Sequence, residues 1–449
     1  MAVDLASIGI SGIYAAEAEL AVTESNIANA SNPNYSAESV NLAAAAGPDG
    51  NGVGVTVLGV QRSQAPFIAG EINLQSSTQS FNQAFTQIGT LAQSLIAPTD
   101  GSDLAQAFQN MMNAFTNLSA SPQDTTLRTG ALTAAANFAS EAQNISSGLG
   151  GDAANAMSQI GPLVAQVNTL SSQIAGLNSQ IKGIQPGDGG AALLDQRAAL
   201  AGQLANLIGA KIDGNGDVNA GGIPLVSGTS ALTLETTGAG ANLGLAVSLP
   251  RGTLPIQTSQ IGGTIGGTLA AAESISQLQT NIDQYANSIA SAINNVYQTG
   301  YGLDGSTGNQ LFLIPGAGGG TITINPAVTA QNFAAASSAA GLPGDGSNAS
   351  AMAALAATQG IDSSFPDSNA VQTFSQIQSE FGTSLETAQM QQQQASSTLQ
   401  SLQQLQSSIS GVSLNDQLTN LIQYQQALEA AGRAVQAAND ITTFLVQEL

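Results

Sequence analysis

Apolar residues recur along this chain at alternating three- and four-residue steps, the spacing of a helix that buries one narrow face. The sharpest run is Ile160, Leu163, Val167, Leu170, Ile174, Leu177 and Ile181. Pro162 suits its first turn, and Gly183, Pro186 and Gly187 end it. Leu193, Leu200, Leu204 and Leu207 continue the pattern on a following helix. Ile275, Leu278, Ile282, Tyr285, Ile289, Ala292 and Val296 predict a helix from about Leu269 to Val296, on the order of 40 Å long. Two shorter stripes precede these. Phe81, Phe85, Ile88, Ala92 and Leu95 stop at Pro98, and Leu104, Phe108, Met111, Phe115 and Leu118 stop at Ser121 and Pro122. A last interior seam runs from Phe374, Ile377, Phe381, Leu385 and Ala388 through Ala395, Leu399, Leu402 and Ile409 to Gly411. It crosses a glutamine-dense stretch, Gln389 to Gln406, which fits the solvent face of a long helix because glutamine is a good helix former.

The same spacing reaches both chain ends. Leu421, Tyr424, Leu428, Ala431, Val435, Ala438 and Leu445 predict a final helix within Val412 to Leu449, with Thr442 holding one step of the seam. Leu5, Ile8, Ile13, Ala16, Leu20 and Ile27 make a weaker version at the start. Chain ends fray unless something ties them down. Seamed ends therefore pack together or against a neighbouring subunit, and the bland alternative is that they close one monomer's own bundle. Ile13, Leu20, Ile27, Leu421, Tyr424, Leu428, Val435 and Leu445 are the candidate subunit-contact residues.

Two stretches break the helical period. Residues 211–265 are rich in Gly and Thr, and Leu232-Thr233-Leu234 and Leu245-Ala246-Val247 read as short strands. Residues 300–365 are rich in Gly, Pro and Ala, with one strand at Thr321 to Ile324. The predicted fold is mainly α: an elongated, coiled-coil-like bundle of long antiparallel helices with small β insertions and paired terminal helices. Residues 1–60 and 411–449 are expected to form a terminal helical domain, and 61–410 the bundle with insertions at about 211–265 and 300–365.

Composition narrows the chemistry. The 449 residues contain no cysteine, histidine or tryptophan and only seven Lys plus Arg against 29 Asp plus Glu, a net charge of −22. Without cysteine there are no disulfides, thiolate nucleophiles or sulfur-ligated metals; without histidine the commonest general base and metal ligand is gone. Catalytic residues, cofactor sites and metal sites are all expected to be absent, and the protein is not expected to be an enzyme. The seven cations stand apart, and residues 252–432 carry none, so neither nucleic acid nor an anionic membrane surface is an expected partner. No stretch has the roughly 20 consecutive apolar residues that insert across a bilayer. The N-terminus lacks the basic and compact apolar regions of a cleaved secretory signal. Asp213-Gly214-Asn215-Gly216-Asp217 has alternating oxygens, yet Val218 and Pro224 stand where a calcium loop needs Gly and Glu, so a turn is expected. The glycines of Ile261 to Gly267 lack the Lys-Ser/Thr pair of a phosphate loop and are read as allowing close packing where strand passes to helix.

The run Ser25-Asn26-Ile27-Ala28-Asn29-Ala30-Ser31-Asn32-Pro33-Asn34-Tyr35-Ser36 resembles the signature of the flagellar rod, hook and hook-associated axial protein family, with Asn32, Asn34 and Ala37 where that family has Thr, Gly and Arg. Locally, Asn29 can cap the helix, Pro33 stop it and Asn34 take a left-handed turn. Ser408-Ile409-Ser410-Gly411-Val412-Ser413-Leu414-Asn415, followed by Asn420 to Ala427, is similar to the ending of the hook-associated branch. Leu193 to Arg197, Gly263 to Leu269, and Leu118 to Pro122 followed by Arg128 are further matches in the right order. The resemblance implies a structural component of the bacterial flagellum at the junction of hook and filament, held by axial packing of its terminal helices. Implied partners are copies of itself, the flagellar hook protein, the next hook-associated protein or filament, and an export chaperone on the C-terminal helices. It further implies extracellular placement after type III export without a cleaved signal, and a shortened outer β region between about Pro315 and Pro343. Another hook or rod protein, a secreted surface adhesin, or a peptidoglycan-cleaving enzyme are the alternatives.

Overall fold

The protein is described by a computed structural model covering residues 2–32, 35–46, 52–98, 103–184, 190–238, 243–249, 252–315 and 321–447, without the side chains of residues 2–5 and 445. In chain order its helices are α1 (Ala2–Asn29), α2 (Pro66–Ile96), α3 (Leu104–Ala120), α4 (Thr125–Ser158), α5 (Ile160–Gly183), α6 (Ala191–Ile208), α7 (Gly263–Tyr297), α8 (Ser347–Ala354), α9 (Ala370–Ser410) and α10 (Leu414–Gln447). The hairpin β1 (Glu38–Ala46) and β2 (Gly52–Arg62) follows α1. Between α6 and α7 lie β3 (Lys211–Ile212), β4 (Val218–Ala220), β5 (Ile223–Ser227) and β6 (Ser230–Ala231) in one antiparallel sheet, and β7 (Thr233–Thr237), β8 (Gly244–Leu249) and β9 (Gly252–Ile256) in another. A minimal pair, β10 (Phe312–Leu313) and β11 (Thr323–Ile324), lies between α7 and α8. The mainly α architecture is present and each predicted helix forms, although Ile8 of the first seam and Ile409 at the end of the α9 seam are exposed.

Two cores hold the bundle. The upper one joins the ends of α2 and α7, all of α3, the first part of α4, the start of α9 and the segment around Phe312, Ile322 and Phe333. The lower one packs α5, α6 and the start of α7 against both central sheets through Ile174, Leu204, Val226, Leu234, Val247 and Ile265. The strand Leu245-Ala246-Val247 is buried on both faces, which explains its unbroken apolar run. α9, 41 residues long and so about 60 Å, runs antiparallel to α2: Leu385 fills the space beside Gly89, and Gln378 donates to the Ile96 carbonyl. α4 and α7 are also antiparallel, with Gly150 near the end of α4 beside Gln279, and Arg128 near its start beside Tyr297 at the end of α7. α2 and α7 run in the same direction. Ser77 accepts from the Gly263 N–H, and a Cβ on Gly267, four residues on, would collide with the carbonyl of Phe81, four residues on from Ser77. The glycines at the start of α7 therefore do set close helix packing, and Gly263 also has φ of 62°.

Two elements go beyond the seams read from sequence. α4 buries six alanines, among them Ala131, Ala135, Ala139 and Ala142, around Phe138, Ile145, Leu149 and Met157. Such a stripe carries little hydrophobic signal but lets neighbours approach, as Leu95 does at Gly148. The hairpin β1–β2 lies in the region read as helical from 1 to 60, so that region is helix plus hairpin.

The segment before α8 is tied by one carboxylate. Asp345 accepts from the Ser347 N–H at 2.9 Å and from the Ser337 N–H and hydroxyl at 2.8 Å each. Donors from Ser347 first, then Ser337, hold its carboxyl well below the usual carboxylate range. A pKa depressed by folding gives stability that is present above the unfolded value, about 3.9, and lost as pH falls through it toward the folded value. Hydrogen exchange over residues 337–349 is expected to rise near pH 3 while α7 stays protected. Asp345→Asn should loosen the same segment at neutral pH and abolish the acid effect; equal acid response in that variant contradicts the assignment.

Candidate assembly surface

α1 and α10 lie side by side and antiparallel. Val435 covers Gly9, Ala431 covers Gly12, and Asn26 bonds Gln417 at 3.1 Å, so residue numbers across the seam sum to about 443. Glu19 follows the same register, sitting near enough to Tyr424 to add to the burial that raises the phenol. Glycines at 9 and 12 let the helices meet closely where larger side chains would hold them apart.

Asn26 is the hub of this unit. It is buried, and its amide group satisfies both its donor and acceptor capacity. Its NH2 donates to the Glu38 carbonyl at 2.9 Å and to Gln417, and its oxygen accepts from the Glu38 N–H and the Tyr35 hydroxyl, each at 2.9 Å. One side chain thus links the first helix, the hairpin and the last helix. Asn29, read as a cap, donates to the Ser25 carbonyl at the end of α1. Pro33 and Asn34 lie outside the described residues. Higher on the hairpin, Ser11 accepts from the Val55 N–H at 3.1 Å, and Gly54, with φ of 127°, fits against Ser11 where a side chain has no room.

The joint to the bundle has three ties. The Ala37 N–H donates to the Ser410 carbonyl at 2.8 Å, and the Ser63 hydroxyl to the Ile409 carbonyl at 3.0 Å, fixing the hairpin to the end of α9. Arg62 forms an ion pair with Asp195 of α6, which also accepts from the Ser36 N–H. The Leu193 to Arg197 run makes two ties: Asp195 holds the hairpin, while Arg197 donates to Asn178, which donates in turn to the Gly216 and Gly228 carbonyls and so ties down the central sheet. The Asp213 to Asp217 run is the β3–β4 turn, with Asp213 accepting from the Asn215 and Asp217 N–H groups at 2.9 Å. Burial raises the Asp195 carboxyl, against the pull of Arg62 and Ser36, and burial with Asp195 raises that of Glu38. A carboxyl raised by folding makes the fold more stable as pH falls through the window between the folded and unfolded values, opposite in sign to Asp345.

Among the eight residues singled out from sequence, Ile13, Leu20, Ile27, Leu421, Tyr424, Leu428 and Val435 are half-buried. The register sets Leu20 level with Tyr424 and Ile13 with Ala431, on the side of the pair where Val435 meets Gly9. The Leu445 side chain lies outside the described residues. Large apolar groups left exposed form a different set: Ile10, Tyr14, Leu414, Leu418, Ile422 and Phe444 on the two terminal helices, with Leu58 of the hairpin and Phe67, 84% exposed, at the base of α2. Most exposed large apolar side chains of the described residues fall on this unit and the adjoining helix ends. A single seam could not reveal them, because they sit off its axis. The tie at Asn26 was visible only as a residue of the Ser25 to Ser36 run, since its partner Gln417 is 391 positions away.

Among the described residues no helix is long and apolar enough to cross a membrane. Residues 90–312 match the family model for the flagellar hook-associated protein FlgK helical domain, and residues 403–448 match that for the flagellar basal body rod FlgEFG protein C-terminal region. No curated protein matches the chain. Among solved structures, the chain is similar to the flagellar hook junction protein FlgK from Burkholderia pseudomallei, at 25% identity and a TM-score of 0.48, over 56% of this chain and 46% of that one. The match therefore spans less than half the length of that relative. The FlgK helical region and the axial-protein C-terminal region thus stand in order on one polypeptide, and over residues 90–312 and 403–448 the chain is similar to flagellar hook-associated and rod proteins.

Proposed function

We propose that this protein is a structural element of the flagellum that joins hook to filament, its terminal helix pair packing in the inner tube and its helical bundle facing outward. The observation that carries this reading is the apolar face left open on α1 and α10 after the two helices have paired. A helix pair that had only to close its own monomer would have covered Leu418, Ile422 and Tyr14. Residues 1–60 and 411–449 are the axial part and 61–410 the outer part in this reading. Ile13, Leu20, Ile27, Leu421, Tyr424, Leu428, Val435 and Leu445 shape the axial unit and touch neighbours along its edges. The partners are copies of this chain, the hook protein and the next hook-associated protein or filament. The protein reaches this extracellular site by type III export without a cleaved signal, escorted by a chaperone on its C-terminal helices. Its role is mechanical rather than catalytic.

The double change Leu418→Glu with Ile422→Glu tests the proposal in a strain lacking the native copy. The expected phenotype is intact hooks that shed filament monomers into the medium, from a variant that keeps its helical circular dichroism in solution. Normal filaments would remove the junction role. Missing hooks would instead favour a hook or rod protein.

A further inference from the structure

The open face of the terminal pair has a one-sided charge. A helix turns about 100° per residue. Ile10, Tyr14, Glu17 and Glu24 therefore share one side of α1, and Leu414, Leu418, Ile422 and Glu429 one side of α10; all are exposed. In an antiparallel pair, rotating the same way from the seam brings both stripes to the same side of the two-helix layer. The hairpin occupies the other side, through Ser11 and Asn26. The observed register sets Glu24 level with Leu418 and Glu17 between Ile422 and Glu429. The open face is thus an apolar ridge flanked by carboxylates.

Nothing on the pair neutralises Glu17 or Glu24. α1 contains no Lys or Arg, and α10 contains Arg433 alone, engaged by Glu429 one turn earlier at 2.6 Å. A second copy laid on this face would bring the same carboxylates and the same occupied arginine. Like charges facing one another across an interface select against that pairing.

We propose that this face receives a helix of a different protein, one whose apolar ridge is bordered by lysine or arginine. This rests on the assembly role above and names the chemistry of the partner at that site. The partner's ridge covers Leu418, Ile422 and Tyr14, and its cations meet Glu17 and Glu24. Contacts between copies of this chain then fall to the remaining sides of the pair. Burying an exposed apolar ridge supplies the association energy, whereas the carboxylates choose which ridge is accepted.

The test uses the purified full-length protein and two labelled helical peptides of about 20 residues, long enough to hold a helix. Both carry one leucine ridge, flanked in one by lysine and in the other by glutamate. Anisotropy at about 0.15 M salt, where the Debye length is about 8 Å, reads binding without gross long-range attraction. The lysine peptide is expected to bind and the glutamate peptide not. Glu17→Gln with Glu24→Gln should weaken binding roughly fivefold or more. Leu418→Ser with Ile422→Ser should abolish it. A control pair on the bundle, Glu273→Gln with Glu380→Gln, removes two equally exposed carboxylates and should leave binding unchanged.

Equal weakening by the control pair, equal binding of both peptides, or binding of neither overturns the inference. So does self-association of the full-length chain in sedimentation equilibrium that Leu418→Ser with Ile422→Ser eliminates, since the occupant is then a second copy. Failure here is separable from failure of the junction role. Shed filament monomers in the Leu418→Glu, Ile422→Glu strain, together with a negative peptide result, sink only the basic partner.

Discussion

Replacing Arg128 by alanine is expected to destabilise the upper bundle by about 3–5 kcal/mol, the range for removing a large buried side chain that also satisfies buried polar groups. Arg128 is fully buried without a carboxylate partner. Instead it donates to the carbonyls of Pro122, Phe333 (2.6 Å) and Ala330 (3.4 Å), joining the α3–α4 turn to the segment that follows β11. Burial lowers its pKa, opposed by Tyr297 and Asp304, so the charged form is kept at a cost that those carbonyls offset. Alanine leaves a cavity and strips the carbonyls of their donor. The loss spreads because Phe333 packs edge-on against Tyr297, with centroids 5.3 Å apart, and also against Phe115. Arg128→Met restores much of the volume but none of the hydrogen bonds, so it should recover only part of the stability. Urea unfolding followed by circular dichroism, with hydrogen exchange at residues 119–122 and 330–336, checks this. Full recovery in the methionine variant would show that packing alone matters there.

How far the fold could be read in advance depended on what each element buries. α5, α7 and α9 bury large aliphatic and aromatic groups at helical spacing, and their seams announced them. α4 is longer than α5 and nearly as long as α7, but half of what it buries is alanine, which marks little contrast between core and surface. The hairpin was hidden for a related reason: β1 ends in Ala43 to Ala46, and β2 gains its place from Gly54 and from partners on other elements. Short strands between α6 and α7 were legible from alternation, though their division into two sheets depends on pairings that no single strand encodes. At the candidate surface the limit was geometric. A three-four stripe identifies the face that a helix buries first, and in α1 and α10 that face lies at or beside the contact between the two helices, half-buried. The outward face, offset by roughly a third of a turn, carries fewer and more scattered apolar groups, so only the register of the pair assembles Ile10, Tyr14, Leu418 and Ile422 into one ridge.

That ridge exists only while the terminal unit holds its shape, and the unit turns on Asn26. Asn26→Ala is expected to cost the terminal unit about 2–4 kcal/mol, because the Glu38 N–H and carbonyl, the Tyr35 hydroxyl and Gln417 each lose a part-buried partner. The bundle does not share the loss, since neither of its cores includes Asn26 or the hairpin. Hydrogen exchange should therefore quicken in residues 38–46 and 52–62 and along the α1–α10 seam, with α7 and α4 unchanged. Asn26→Asp separates the two halves of the network. A carboxylate still accepts from the Glu38 N–H and Tyr35, yet it can no longer donate to the Glu38 carbonyl or to Gln417, so it should recover only part of the loss, in the hairpin and in the helix pair alike. If the junction reading is right, Asn26→Ala cells build hooks and lose filaments even though the outer bundle folds normally. An Asn26→Ala protein with native exchange in the hairpin and normal filaments would mean that the α9 joint and the seam fix the axial unit without this hub, and that the assembly surface is held by packing rather than by a single amide.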